Sequence, residues 1–313
     1  MDINLYTEEI VKTIKKKNKN LVVEVHDVHR NNDLTLKGIT IHTENRNISP
    51  IIYTNEYYEH NLDVDEAASK IMVLYNTHKY DMDNSIANTM LNFDSIKDKI
   101  IARVINKDRN KLIVSSCPYA QFGDLIVTFA VFVEQNPGGT ASIKITNEMM
   151  NSWKVNLGQL IEAAYTNTSK LFPLEVDTMS EILKQMMSDA CELTPEMEAE
   201  LEAELASQSS PMYVITNTSK YFGAYFLTDR KALVKVASEI KDSRFFILPS
   251  SVHELIVVPE SQIQDASDLT TMVKEINVTQ VAPSEVLADN VYHFDAKTEE
   301  LRTIDGTIIP FIA

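Results

Sequence analysis

The sequence predicts an α+β protein in which two mixed domains pack helices against antiparallel sheets. In several segments apolar residues recur every three or four positions, as they do along one face of a helix. Other segments alternate apolar and polar residues and are joined by short connections, which is typical of antiparallel strands. No regular strand–helix–strand repeat of the parallel type occurs, so the antiparallel class is favoured.

The N-terminal part begins with a helix and a hairpin. The helix starts with Thr7 and two glutamates and ends in lysines, an order that suits the helix dipole. The stretch "LVVEVHDVHRNNDLTLKGITI" (21–41) alternates around Asn31-Asn32-Asp33, which is a hairpin signature. The next helix contains "DVDEAASKIMVLYNTH", and Asp63 is its expected cap.

The middle of the chain predicts a further helix, a meander and two more helices. Apolar residues at 96, 100 and 104 are spaced as on a helix that ends near Asn106. Of the two later helices, one follows Asn156 and the other has Met179, Ile182 and Met186 on its apolar face. Three β-rich segments predict an antiparallel meander: 111–116, 124–134 and a strand that ends at Ile145.

An acidic segment divides the predicted domains. Residues 189–204 contain seven acids and no base, and Thr194-Pro195-Glu196 is a good helix start. We therefore predict an acidic linker helix at 191–210, between an N-terminal domain of residues 1–190 and a C-terminal domain of residues 211–313.

The C-terminal domain is expected to contain three strand pairs and two helices. The first helix starts at Asp229, and the second contains Leu269. The strand pairs are "MYVIT" with "GAYFL", 244–248 with 252–258, and "NVYHF" with "ELRTI". The segment "TNTSK" occurs at 166–170 and again at 216–220, once at a helix end and once after a strand, so we attribute the repetition to chance.

Composition excludes several classes of function. The formal charge is −16, so a basic groove for nucleic acid and docking on an anionic membrane are both unlikely. No run of 18 apolar residues occurs, and the N-terminus lacks the features of a secretion signal. The two cysteines, Cys117 and Cys191, are expected to be free thiols, so we expect a cytoplasmic protein. The seven glycines form neither a G-x-G-x-x-G pattern nor a P-loop, and we expect no cofactor.

The stretch "FFILPSSVHELIVVPE" (245–260) contains the set of side chains that most suggests a functional site: two serines, a histidine and a glutamate within five positions. His253-Glu254 begins like the zinc motif H-E-x-x-H, but Val257 stands in place of the second histidine and the run favours a strand, so no metal site is predicted. In a strand Ser251 and His253 share one face, whereas Glu254 lies on the other and cannot orient the imidazole. A turn through Pro249 followed by a core strand is the favoured interpretation.

Two further interpretations of this stretch remain. The candidate catalytic residues are Ser251 and His253, with Asp124 and Cys117 as partners that only tertiary folding could bring near. His253 and Glu254 are the candidate binding residues.

The whole chain resembles an uncharacterised bacterial family of domains of unknown function that is frequent in gut anaerobes. The matching stretches are "RNND" (30–33), "NISPIIY" (47–53), "INKDRN" (105–110), "CPYAQFGDLIV" (117–127), "MYVITN" (212–217), "GAYFL" (223–227), "ILPSSVHELIVVPE" (247–260) and "MVKEINVTQVAPSEVLADNVYHF" (272–294). The resemblance implies no activity. In similar proteins a histidine often follows the proline of the "CPY" stretch, and Tyr119 here weakens any site that pairs such a histidine with His253.

We therefore expect a non-catalytic interaction or regulatory protein whose partner is a protein. Its setting is expected to be accessory or mobile-element biology, including defence, which follows from the type of family. One alternative is a hydrolase centred on His253 with Ser251, Cys117 or Asp124. Another is an acidic mimic of nucleic acid that acts through residues 189–204.

Overall fold

A computed structural model of the chain describes residues 1–43, 51–78, 89–136, 139–190, 212–249, 251–263 and 265–312. These residues form helices and three antiparallel sheets, so the predicted α+β class is confirmed. The chain divides into two compact units, residues 1–96 and 97–313. The predicted linker helix at 191–210 lies outside the described residues. Strands on either side of that segment, Leu174–Thr178 and Tyr213–Asn217, pair with each other in one sheet.

The first unit packs helices on one three-stranded sheet. Its elements are α1 (Ile3–Lys17), β1 (Val22–His29), β2 (Thr35–His42), β3 (Ile51–Tyr53), α2 (Asn55–Glu59), α3 (Val64–His78) and α4 (Phe93–Ile96). The core joins α1, α3 and the sheet through fully buried isoleucines such as Ile10, Ile39 and Ile71. The Glu66 amide donates to Asp63 at 2.9 Å, so the predicted cap is confirmed, as is the β1–β2 hairpin around Asn31–Asp33.

The second unit begins with a sheet built around one long strand. Its elements are β4 (Ile100–Asn106), α5 (Lys111–Ser116), β5 (Tyr119–Phe122), β6 (Leu125–Asn136), β7 (Gly139–Lys144), α6 (Asn147–Trp153) and α7 (Leu157–Leu171). Strand β6 pairs with β4 on one side and with β5 and β7 on the other. Asn156 begins α7 with a reciprocal pair of hydrogen bonds to Gln159, and this capping box explains why the helix starts there.

A seven-stranded antiparallel sheet forms the rest of the second unit. Its elements are β8 (Leu174–Thr178), α8 (Met179–Ala190), β9 (Tyr213–Asn217), α9 (Arg230–Ile240), β10 (Arg244–Leu248), β11 (Leu255–Pro259), α10 (Ser267–Thr279), β12 (Tyr292–Asp295), β13 (Glu300–Thr303) and β14 (Ile308–Ile309). The strand order is β14-β13-β12-β10-β11-β9-β8. The predicted pair β10–β11 and the predicted terminal hairpin β12–β13 are both confirmed.

Three predicted elements are wrong. Residues 100–106 form a strand rather than a helix, because β4 is buried on both faces and such a strand loses its alternation. Residues 111–116 form a helix, and residues 223–228 form a buried 3₁₀ turn rather than a strand. At 100–106 and 223–228 tertiary burial outweighs local propensity, whereas in 111–116 only Ile113 is buried and the structure offers no such explanation.

Among the described residues, every helix is too short or too polar to span a bilayer.

Candidate functional site

The candidate site lies where two loops of the second unit meet beside the β9–β11 pair. One loop runs from Asn217 at the end of β9 to Gly223, and the other includes Ser251–Glu254, directly before β11. Strand β11 begins only at Leu255, which pairs with Ile215 of β9, and its first pair with β10 is Ile256 with Leu248.

His253 and Glu254 are therefore loop residues, and the predicted alternation of faces does not apply to them. The main chain of this loop bonds outside the sheet instead. The Val252 amide donates to the Glu285 carbonyl at 2.9 Å, and the Gly223 amide donates to the His253 carbonyl at 2.9 Å. The Thr216 hydroxyl donates to the same His253 carbonyl at 2.9 Å. These bonds decide where the strand begins.

The 217–223 loop is held by one buried asparagine. The Asn217 side-chain oxygen accepts from the Ser219 amide at 3.0 Å and from its hydroxyl at 2.7 Å. Its nitrogen donates to the Tyr221 carbonyl at 2.7 Å. Asn217 thus fixes the loop from both of its amide atoms and places Tyr221 at the surface.

The same loop contains two residues in the left-handed region, Lys220 at φ 57° and Phe222 at φ 58°. A bulky side chain is rare in this region, and such a conformation costs about 1–3 kcal/mol. Gly223 follows, and a Cβ there would lie 2.3 Å from the His253 carbonyl oxygen. Only glycine lets the two loops approach this closely.

Each ring nitrogen of His253 faces a specific group. Nδ1 accepts from the Phe222 amide at 3.2 Å, so the proton of the neutral ring is on Nε2. Nε2 lies 3.6 Å from Glu285 Oε1. The rings of Tyr221 and Phe222 pack against the imidazole at centroid distances of 5.2 and 5.5 Å. His253 is therefore oriented by contacts on several sides, and 23% of its side chain is exposed.

Charged side chains surround this aromatic group. The Lys220 ammonium lies 2.6 Å from Glu175 and 3.5 Å from Asp177. Partial burial raises the pKa of Glu254, nearby Lys220 lowers it, and Glu285 raises it again, for a net increase. We call the set of Tyr221, His253, Glu254 and Glu285 the Tyr221 surface.

The predicted catalytic partners have other neighbours. The Ser251 hydroxyl is buried and accepts from the His253 main-chain amide at 3.0 Å. Cys117 is a buried free thiol whose sulfur lies 3.7 Å from the Ser116 hydroxyl. The predicted turn through Pro249 includes Ser250, which lies outside the described residues, as does the predicted free thiol Cys191.

Asp124 is bonded to the segment that also carries Glu285. Its two carboxylate oxygens accept from the Tyr292 hydroxyl and from the Asn290 side chain, each at 2.7 Å. Residues 285–292 therefore connect the two predicted site residues: Glu285 contacts the His253 loop, and Tyr292 contacts Asp124.

Sequence reasoning identified His253 and Glu254 but missed Tyr221, Phe222, Lys220 and Glu285. A usable signal is the polar run "TNTSK" followed at once by two aromatic residues and a glycine, "YFG", after a strand. Small polar residues before a glycine predict a tight loop. The second occurrence of "TNTSK" therefore indicates a loop that presents aromatic rings.

Metal binding is not indicated by the side-chain clusters that the structure describes. In that part of the chain, no three or more His, Cys, Asp or Glu side chains come together in a way that could hold an ion. His26 and His29 lie in β1 and contact different threonines, Thr40 and Thr35.

The fold and this site define an α+β protein of two compact units with an exposed aromatic and acidic surface. A family model, Family of unknown function (DUF5688), matches residues 3–296, so the chain belongs to that family. The predicted resemblance to a family of unknown function is thereby confirmed. Neither the curated proteins nor the solved structures gave a match.

Proposed function

We propose that this chain is a non-catalytic interaction protein that binds a protein partner through the Tyr221 surface. The observation that carries the proposal is the exposure of Tyr221 on a strained loop that hydrogen bonds from the buried Asn217 hold in place. Tyr221 is 36% exposed, whereas Asn217 and Ser219 below it are buried and bonded.

Backbone strain supports this proposal. A left-handed phenylalanine and a left-handed lysine persist only where the surroundings determine them, and such residues concentrate at functional sites. Binding to a loop that is already ordered costs less conformational entropy than binding to a mobile one. Tyrosine is also among the side chains that contribute most to binding at protein interfaces.

The state of His253 favours binding over hydrolysis. A general base needs a ring nitrogen within hydrogen-bond reach of the nucleophile. Here Nδ1 accepts from the Phe222 amide and Nε2 faces Glu285. Of the proposed partners, Cys117 is buried beside Ser116, and Asp124 is bonded to Asn290 and Tyr292. The hydrolase alternative centred on His253 with Ser251, Cys117 or Asp124 remains a hypothesis with less support.

The proposed setting is the cytoplasm, because two cysteines in 313 residues suit a reducing compartment. Accessory or mobile-element biology, including defence, is part of the proposal and depends on the type of family alone. The nucleic-acid mimic depends on residues 189–204, nearly all of which lie outside the described residues.

Site-specific photocrosslinking tests the proposed interaction. A benzophenone amino acid replaces Tyr221 in one version and Val278 in the other, and both are exposed to lysate of the source organism. Val278 is 85% exposed and lies on α10, so it is a matched surface position. We expect one discrete crosslinked protein from position 221 and none from 278. We also expect Tyr221→Ala to reduce co-purification of that protein by at least about tenfold, and Val278→Ala to leave it unchanged.

Equal co-purification by Tyr221→Ala and the wild type would contradict the proposal. So would hydrolysis of a chromogenic ester or peptide by the wild type that disappears in both His253→Ala and Ser251→Ala. Thermal unfolding of each variant checks that a lost interaction does not reflect a lost fold.

A further inference from the structure

The Tyr221 surface carries an excess of negative charge at close range. Glu254 and Glu285 lie beside His253, and Glu175 and Asp177 lie beside Lys220. The Lys220 ammonium pairs with Glu175 and Asp177 and also lowers the pKa of Glu254, so three carboxylates share it, while Glu285 lies beside His253. Burial raises the pKa of Glu254, Lys220 lowers it, and the nearby Glu285 charge adds a smaller increase. A cation that entered this surface would relieve repulsion that is already present in the folded protein.

The aromatic group beside these carboxylates already holds one guanidinium. The Arg103 guanidinium carbon lies 3.9 Å from the centroid of the Phe222 ring, and Arg103 also donates to the Ser142 hydroxyl. Phe222 is the neighbour of Tyr221, and both rings pack on His253. The Arg103 guanidinium thus already stacks on one ring of this aromatic group, and this cation–π contact stabilises the loop.

We propose that the group recognised at the Tyr221 surface is an arginine side chain of the partner, stacked on Tyr221 and paired with the carboxylates of Glu285 and Glu254. This inference rests on the proposed function, because it names what the same surface binds. Arginine fits better than lysine, since its planar guanidinium stacks on an aromatic ring and binds carboxylates in a bidentate manner. The net charge of −16 also favours a basic partner and its fast association.

Two small molecules of nearly the same shape test the charge requirement. The probes are N-acetyl-arginine amide and N-acetyl-citrulline amide, which differ in whether the side-chain head is charged. They are titrated into the full-length protein while NMR records the Phe222 amide and the side-chain signals of Tyr221 and His253. We expect saturable shifts with the arginine probe at a Kd on the order of millimolar, and at least about tenfold weaker binding of the citrulline probe.

Matched variants assign the binding to the carboxylates. Glu285→Gln removes the charge but keeps the Glu285 main-chain carbonyl that accepts from Val252, so the loop is expected to stay in place. Glu162→Gln makes the same change at an exposed position of α7 in the same unit. We expect Glu285→Gln to weaken the arginine probe by about fivefold and Glu162→Gln to leave it unchanged.

The outcomes separate this inference from the proposed function. Equal binding of both probes, or no binding of either, overturns the arginine assignment, while crosslinking from position 221 still supports an interaction surface. An unchanged Kd in Glu285→Gln also overturns it. If the arginine probe binds in a charge-dependent manner but no partner depends on Tyr221, the cation site is supported. The same result overturns the proposed function.

Discussion

Two tyrosines four residues apart, Tyr221 and Tyr225, occupy opposite environments in the second unit. Tyr225 is 1% exposed, and its hydroxyl lies 3.4 Å from both Asp229 and Ser169. Asp229 in turn caps α9 through the Ala232 amide. Tyr221 is exposed on a loop that contains two left-handed residues.

Tyr225 stabilises the fold from within, whereas Tyr221 lies at the surface of the same unit. Burial raises the pKa of Tyr225, and the nearby Asp229 charge raises it further, so its hydroxyl stays protonated and bonded at physiological pH. Burial likewise raises the pKa of Tyr165, whose ring packs on Tyr225, to about 12. Tyr221 has no comparable burial, although its loop carries the strain. We propose that the order of this loop serves to present Tyr221.

The largest expected effect comes from truncating the buried tyrosine. Tyr225→Ala is expected to lower the free energy of unfolding by about 3–5 kcal/mol, because it leaves a cavity and removes the hydrogen bond from the Tyr225 hydroxyl to Asp229. Tyr221→Ala, the matched control, is expected to change it by less than about 1 kcal/mol. Urea denaturation measures both values. Similar losses in the two variants would show that the tyrosines do not differ in role.

The second effect concerns a tyrosine that is buried like Tyr225 but contacts a predicted site residue. Tyr292→Phe removes the hydrogen bond to Asp124 and is expected to cost about 1.5–3 kcal/mol, the range for hydrogen bonds to charged groups. The arginine probe should bind this variant as it binds the wild type. Weakened stability with unchanged binding would identify Asp124 as a structural residue. Unchanged stability would contradict that assignment.

The third effect tests how closely the two loops must approach each other. Gly223→Ala places a Cβ 2.3 Å from the His253 carbonyl oxygen and 2.8 Å from the Thr216 Cα, and these are backbone atoms that cannot rotate away. We expect a loss of about 1–3 kcal/mol together with altered NMR signals from His253. Wild-type stability with unshifted His253 signals would mean that the loops tolerate a wider separation.

The smallest effect has the opposite sign. Partial burial and Glu285 raise the pKa of Glu254 against the effect of Lys220, so its charge costs stability in the folded state. Glu254→Gln is therefore expected to stabilise the protein at neutral pH, by less than about 1 kcal/mol because the side chain is still partly exposed and solvent screens its charge. The same variant should bind the arginine probe more weakly.

The pH dependence of that difference follows from the direction of the shift. The folded pKa lies above the unfolded value, so the unfolded chain loses its proton first as pH rises, and the wild type loses stability through this interval. The variant and the wild type should unfold alike below about pH 4 and diverge above it. A difference that is constant from acidic to neutral pH would count against this origin.

Much of the fold could be predicted because its signals are local. Asp63 and Asn156 cap helices through atoms a few residues away, and the β1–β2 and β12–β13 hairpins follow from alternation around short turns. The prediction failed at β4 because a strand buried on both faces has no alternation to detect. It failed at residues 223–228 because the Gly223 amide bonds to His253, thirty residues later.

The candidate site likewise contains residues that the sequence predicted and residues that it did not. Its histidine and glutamate were visible as residue types, but Tyr221 and Glu285 were not, since they reach His253 from distant parts of the sequence. Whether Ser251, Cys117 or Asp124 takes part in catalysis stays a prediction, as do the partner and its setting.

The sequence by itself determined the α+β class, the helix starts at Asp63, Asn156 and Asp229, the β1–β2, β10–β11 and β12–β13 pairs, and the acidic charge. These depend on composition and on contacts between near neighbours in the chain. Only the tertiary structure decided that Val252, His253 and Glu254 belong to a loop, that His253 Nδ1 faces the Phe222 amide, and that Tyr221 packs on the histidine that Glu285 approaches. The physical reason is that hydrogen bonds from distant segments satisfied the loop's main chain and removed it from the strand that its local pattern favours.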